Sequence, residues 1–251
     1  MHDAPMEPLR FAQGEEDSHL VTPPSAAQDD VCPRCLSVNY EPEFAVCENC
    51  RLNASQLDGH SLSIEPISLY TKPGRLRDWL TYYKSEDERL ADRFATEAIT
   101  TILDRFFAAN RLWIVSLKPS YFVIVPSTSR QPPHPLQMLI DNATGLGIDS
   151  RAAVRRTPSA LGPRTASTEA YESVGAVNGD RILLVDDVYA SGSRAQSAAY
   201  ALRAGGAEVV SLMVIGRRIN PAYKPRAAEI FEAQRQRPFE WSIEKRRSLE
   251  H

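Results

Sequence analysis

Apolar side chains follow two rhythms along this chain, and the change between them locates its elements. From Ile64 onward, short unbroken apolar runs alternate with segments of helical spacing. Ile67-Ser-Leu-Tyr70 reads as a short strand. Leu76, Trp79, Leu80 and Tyr83 recur at helical spacing, and Leu90, Phe94, Ala98, Ile99, Ile102 and Phe106 predict a second, longer helix. Tyr121-Phe-Val-Ile-Val125 is too short for a helix and ends at Pro126, which predicts a buried strand. A helix over Leu136 to Thr144 and a short strand near Ala152 to Val154 follow. A strand at Arg181-Ile-Leu-Leu-Val185, a helix from about Ser193 to Ala204 and a strand from Glu208 to Ile215 make a strand-helix-strand unit, so parallel strands joined by a right-handed crossover are expected. Between these halves, Arg155 to about Gly179 is polar, Arg-rich and interrupted by Gly and Pro. An irregular insert of that length predicts a lid or binding loop. The fold class read from this order is α/β.

Residues 1–29 mix Pro, Ala, Ser, Gln and acids without a sustained apolar period, which predicts a disordered acidic tail. At the other end, residues 249–251, Leu-Glu-His, have the composition of an affinity-tag remnant and carry no function. A chain of 251 residues with 43% hydrophobic and 24% charged side chains suits one α/β domain with a small appendage. The net charge of -3 argues against a surface built wholly for nucleic acid. No stretch approaches the ~18 apolar residues of a membrane span, and the acidic N-terminus is unlike a secretory signal. A cytoplasmic protein with no membrane partner is expected.

All four cysteines fall together, as Cys32-Pro-Arg-Cys35 and Cys47-Glu-Asn-Cys50. Two Cys-x2-Cys pairs separated by eleven residues have the spacing of a zinc ribbon, in which four thiolates close a tetrahedron around the metal. Such a closed site leaves no position for substrate, so Zn²⁺ at Cys32, Cys35, Cys47 and Cys50 would be structural. Unliganded thiols and an iron–sulfur centre are the competing readings.

The segment Arg181-Ile-Leu-Leu-Val-Asp-Asp-Val-Tyr-Ala-Ser-Gly-Ser-Arg194 is the most informative. Its strand delivers two adjacent carboxylates, Asp186 and Asp187, to a C-terminal end, where parallel sheets bind ligands. Strand alternation points the two in different directions, so they are expected to have different jobs. Ala190-Ser-Gly-Ser-Arg194 then supplies small residues, a glycine and two hydroxyls as the next helix begins. Free N–H groups and the positive end of a helix dipole make that turn a seat for phosphate; an ordinary strand-to-helix turn is the alternative.

Val185-Asp-Asp-Val-Tyr-Ala-Ser-Gly-Ser193 resembles the signature of the type I phosphoribosyltransferases. The resemblance implies binding of phosphoribosyl pyrophosphate with Mg²⁺ and transfer of the ribosyl 5-phosphate to a nitrogen acceptor, with pyrophosphate released. Asp186 and Asp187 would be the catalytic carboxylates facing the ribose, and Ala190, Ser191, Gly192, Ser193 and Arg194 would hold the 5′-phosphate. Two residues depart from the pattern: Ala190 stands where Thr is frequent, and Arg194 stands where Thr usually closes the turn. The guanidinium could add a charge-assisted contact in place of the hydroxyl. After the strand ending at Val125, Ser127, Thr128, Ser129 and Arg130 match the position of the family's pyrophosphate loop, with Lys84 as a further cation for that group. His134 reads as a capping or packing residue.

The cysteine pairs combined with this motif are similar to the ComF-like members of the family. Tyr70, Gly74-Arg-Leu-Arg-Asp-Trp-Leu80 and Lys84 look like that group's pattern between ribbon and catalytic domain. The implied fold is a mainly parallel sheet flanked by helices, with a zinc ribbon at 30–55 and the phosphoribosyltransferase domain at 60–248. Residues 217–248 match no family pattern. The insert with Arg155, Arg156 and Arg164 would serve as the lid, solvated loop charges being the alternative. The acceptor base or amine is not specified; Tyr223 and Trp241 are aromatic candidates to stack on it, with an ordinary core or surface aromatic the favoured reading of each. The resemblance also carries a non-catalytic alternative, a phosphoribosyl-pyrophosphate sensor or nucleic-acid-associated protein of DNA uptake or regulation. Its candidate contacts are Gly216-Arg-Arg, Lys224-Pro-Arg226, Arg235-Gln-Arg237 and Lys245-Arg-Arg247, although Glu229, Glu232, Glu240 and Glu244 interleave them. An inactive scaffold is the third reading. The oligomeric state stays open.

Overall fold

Every side chain from Ile182 to Val185 is fully buried, because the strand they form has neighbours on both edges and packing on both faces. This strand, β5 (Arg181–Tyr189), belongs to a computed structural model that describes residues 15–85, 92–127, 134–143, 145–159, 162 and 164–248. It pairs in parallel with β2 (Tyr121–Ile124) on one side and β6 (Glu208–Arg218) on the other, and β6 pairs in parallel with β1 (Ile64–Tyr70). The sheet order is β1-β6-β5-β2.

Alternation along these strands sorts the core into two faces. Tyr121, Val123, Ile182, Leu184, Leu212 and Val214 pack with helix α6 (Ser193–Ala204), the antiparallel pair β3 (Val154–Arg156) and β4 (Tyr171–Ser173), and the four cysteines. Phe122, Ile124, Leu183, Val185, Met213 and Ile215 pack against α2 (Arg75–Tyr82), α3 (Arg93–Ala109) and α5 (Pro135–Ala143). The chain is therefore α/β, with a parallel central sheet flanked by helices. In α6, buried Ala195, Ala198, Ala199 and Ala201 both favour the helix and let it lie close to the strands.

Four helices have no counterpart in the sequence reading: α1 (Glu48–Gln56), α4 (Arg111–Ser116), α7 (Pro225–Arg235) and α8 (Ile243–Ser248). The first and last two carry too few apolar positions to show a helical period, and α4 is short. Leu90 and Thr144, at the edges of expected helices, lie outside the described residues, as do residues 1–14 and 249–251.

Two expectations need correction. Within the expected disordered tail, residues 20–24 are buried, Leu20, Val21 and Thr22 among them, and Val21 bridges antiparallel to Leu69, covering the outer edge of β1. That is also the strand containing Pro66, and an edge is where a strand tolerates proline. The insert from Arg155 to Gly179 is not irregular throughout. β3 and β4 pair within it, and Ala166, Ala170 and Tyr171 are buried beneath.

Candidate functional site

β5 continues past Val185 and carries both carboxylates inside the sheet, so Asp186 and Asp187 are buried, 5% and 3% exposed. Alternation sends them to opposite faces. Asp187 turns toward α2, where its Oδ2 accepts from the Tyr83 hydroxyl at 2.9 Å and pairs with the Lys84 ammonium. Asp186 turns the other way, 3.8 Å from the Arg194 guanidinium, and its Oδ1 accepts from the backbone N–H of Asp187 at 2.9 Å. Burial, only partly offset by Arg194, pushes Asp186 up to about 7. Burial acts on Asp187 in the same direction, but the charge and hydrogen bond of Lys84, with the Tyr83 hydroxyl, outweigh it and hold this carboxyl below its usual range. Two neighbouring aspartates are thus pushed in opposite directions by their surroundings.

The alternation breaks after Asp187, and Tyr189 swings to the cysteine side of the sheet. Its ring explains the glycine two residues beyond Ala190. Gly192 has φ +85°, and a Cβ there would lie 2.0 Å from the Tyr189 hydroxyl oxygen. Gly192 is the N-cap of α6, so the turn sits at the positive end of a twelve-residue helix. Ser191 and Ser193 hydroxyls stand 3.2 Å apart across it. Residues 190–194 therefore form one turn, bordered by Asp186 through Arg194.

The four cysteines are brought together and buried, with all four sulfur atoms within 4.8 Å of one another. None is in a disulfide. Cys32 and Cys50 sulfurs are 3.8 Å apart, and those of Cys35 and Cys47 3.5 Å. A tetrahedron with metal–sulfur bonds of ~2.3 Å needs sulfurs about 3.8 Å apart, so the set fits zinc. Hydrogen bonds from the neighbouring thiols hold Cys32 below the usual thiol range and drive Cys47 and Cys50 above it. A divalent cation would relieve that competition by letting all four ionise.

A cleft of about 740 Å³ runs along the turn, between the cysteine segment and the end of β6. Ala190, Ser191, Ser193 and Arg194 form one wall, Glu48 and Asn49 another, and Arg218, Asn220 and Tyr223 a third. On its rim the Tyr40 and Tyr223 rings meet edge to face at 5.6 Å, with the Lys224 ammonium 4.5 Å from the Tyr40 ring centre. Arg164 also lines this cleft, whereas Arg155 pairs with Glu172 at 2.7 Å.

The remaining candidates separate. Ser127 follows β2 and so stands beside the carboxylate strand; Thr128, Ser129 and Arg130 lie outside the described residues. Trp241 packs on Phe239 and under Arg105, away from the cleft lining. Much of the C-terminal basic segment is paired internally: Arg226 with Asp30 and Glu229, Arg235 with Glu232, Arg247 with Glu65.

Three residues of the site escaped sequence reading. In the sequence Tyr83 is one of the apolar positions of a helix. Asn53, 1% exposed in α1, donates to the Ser191 carbonyl at 2.9 Å. Arg217, 2% exposed, donates to the carbonyls of Cys35 and Ala190 at 2.6 and 2.9 Å, although the sequence had grouped it with solvent-facing cations. Its place at the C-terminal end of the strand next to the carboxylates was the available signal. No protein-family model matches this chain, and no match is found among curated proteins. Among the described residues, no helix is long and apolar enough to cross a membrane.

Proposed function

We propose that this chain is a phosphoribosyltransferase of the type I fold, with a structural zinc ribbon of the ComF-like kind. The observation that carries the reading is the pair of buried carboxylates on β5, one held by Lys84 and Tyr83 and the other beside Arg194, followed directly by a glycine-forced turn at a helix N-terminus. An activated sugar phosphate needs both: hydroxyl acceptors for the ribose and N–H donors for its 5′-phosphate.

On this reading Ala190 to Arg194 seat the 5′-phosphate, Asp186 and Asp187 orient the ribose hydroxyls, and Ser127, just after β2, contributes to the pyrophosphate site. The bond from the anomeric carbon to pyrophosphate oxygen breaks, and its electron pair leaves with pyrophosphate. The acceptor nitrogen supplies the new pair through an oxocarbenium-like state. No covalent nucleophile is required of the protein. Positioning and water exclusion are its contribution, and both follow from a site built on buried strand ends. Carboxylate oxygens suit Mg²⁺, which when bound would neutralise charge on the departing group; Asp186 and Asp187 are the residues placed to hold its ligand shell. Lys84, already engaged by Asp187, fixes that carboxylate as an anion. The acceptor has room in the cleft beyond the turn, where exposed Tyr223 offers a planar face.

Calorimetric titration of the full chain with phosphoribosyl pyrophosphate and Mg²⁺ tests the reading, joined to a pyrophosphate-release assay over a panel of nucleobases and amines. Binding abolished by Asp186→Asn with Asp187→Asn, and release with at least one acceptor, is the expected result. Absence of binding by the wild-type chain would sink it; binding without release from any acceptor would favour the sensor instead.

A further inference from the structure

Arg217 lies between the cysteine cluster and the turn. Its Nε donates to the Cys35 carbonyl at 2.6 Å, and one terminal nitrogen reaches the Cys35 sulfur at 3.5 Å. The other terminal nitrogen donates to the carbonyls of Tyr189, Ala190 and Arg218, at 3.1, 2.9 and 2.7 Å. From the helix that carries Cys50, Asn53 holds the Ser191 carbonyl at 2.9 Å. Three consecutive carbonyls, those of residues 189, 190 and 191, are thus gripped by the cysteine segment itself or by a cation anchored on it.

That grip decides where the amides point. Among the described residues the one cis peptide is Lys72-Pro73, so the peptides at the turn are trans, and the N–H across each points opposite to its carbonyl. Drawing back the carbonyls of Tyr189, Ala190 and Ser191 therefore aims the N–H groups of Ala190, Ser191 and Gly192 the other way, as a row of donors for an anion. Charge ties the two sites further. Four thiolates around a divalent cation carry two net negative charges, and Arg217 is the buried cation in contact with them.

We propose that metal occupancy of the cysteine cluster and anion occupancy of the turn at residues 190–194 are energetically coupled, with Arg217 and Asn53 as the positioning residues that link them. The inference rests on the turn being an anion seat. A bound metal keeps Cys35 and α1 in place and thereby keeps the amides aimed; by reciprocity, an anion on the amides raises the affinity for the metal.

The test uses the zinc-loaded full chain and ribose 5-phosphate, which carries the 5′-phosphate but has no leaving group. Calorimetry measures its binding, and the equilibrium transfer of zinc to a chromogenic chelator measures metal affinity. Saturating ribose 5-phosphate should protect the metal in the wild type, lowering the transfer constant by about fivefold or more. In Arg217→Lys and in Asn53→Ala the protection should shrink toward none. Asn53→Ala, which removes one side-chain hydrogen bond at a buried position of α1 and no charge, carries the comparison if Arg217→Lys does not fold. Binding heat with an unchanged equilibrium transfer of zinc would overturn the coupling while leaving the anion seat intact, as would full protection persisting in Asn53→Ala. No binding heat in the wild type would remove the seat, and the coupling with it.

Discussion

The hydroxyl of Tyr83 donates to Oδ2 of Asp187 over 2.9 Å, and the ammonium of the next residue, Lys84, pairs with the same oxygen. Both come from the end of α2, so one helix terminus sets the charge of one aspartate while its neighbour, Asp186, is left to burial and to Arg194. The site's behaviour with pH follows from this division.

Replacing Lys84 by Met leaves a buried carboxylate with the Tyr83 hydroxyl and the more distant charge of Arg194. Asp187 has a depressed folded-state pKa, so its contribution to stability is present above the usual carboxylate range and is lost as pH falls through the lowered value. Lys84→Met should cost about 2 kcal/mol at pH 7, discounted because Lys84 is partly exposed. The difference from wild type should close as pH falls below about 4. Urea unfolding at several pH values reads this directly, and a difference independent of pH would contradict it.

Asp186 behaves oppositely. With its folded-state value raised to about 7, the folded chain binds more protons than the unfolded one between the two values, so this group makes stability fall as pH rises from about 4 to 7. Asp186→Asn should flatten that slope and raise the ligand-free Tm at pH 8 by roughly 2–4 °C or more. The same variant should lose sugar-phosphate binding. A lower Tm for Asp186→Asn at pH 8 would argue against the raised value.

Gly192→Ala should be destabilising by about 2 kcal/mol or more, since it combines a positive φ with a clash. Tyr189→Phe should not rescue it: the added Cβ would still lie 2.2 Å from the ring Cζ. Thermal unfolding of the single and double variants, with phosphate titration of each, provides the check. Recovery in the double variant would mean the hydroxyl alone was the obstacle.

Tyr223 is 61% exposed, so Tyr223→Ala should change stability by no more than about 0.5 kcal/mol. On the proposed reading it should weaken use of a planar acceptor severalfold while leaving phosphoribosyl pyrophosphate affinity unchanged. A loss confined to sugar-phosphate affinity would move the acceptor elsewhere.

Metal analysis of the purified chain should find one zinc per molecule. Cys50→Ser should lose it and lower Tm, because the cluster is continuous with the core that holds Tyr189 and α6. Iron in place of zinc, with visible absorbance, would reassign the site.

Particular residues show where sequence reading worked and where it stopped. Ile182 to Val185 announced a buried strand, and the alternation that packs the core also sends Asp186 and Asp187 to opposite faces. The sequence already placed the two acids at the end of that strand; that the strand runs on to Tyr189, and that Lys84 and Arg194 stand beside the acids, only the fold shows. Val21 gave no periodic signal, since its strand-like bridge is to Leu69, distant in sequence. Arg217 looked like one of several surface cations, and its burial depends on Cys35, 182 residues earlier.

The chain's own order of residues determined the parallel α/β class, the cysteine spacing, the paired acids and the glycine corner, because each depends on periodicity or on bonds spanning a few residues. Tertiary structure alone decided which aspartate is held as an anion, which side of the turn its carbonyls face and that the cysteine cluster stands behind it. Desolvation and Coulomb attraction act through space between groups that folding brings together, and nothing local records which groups those will be.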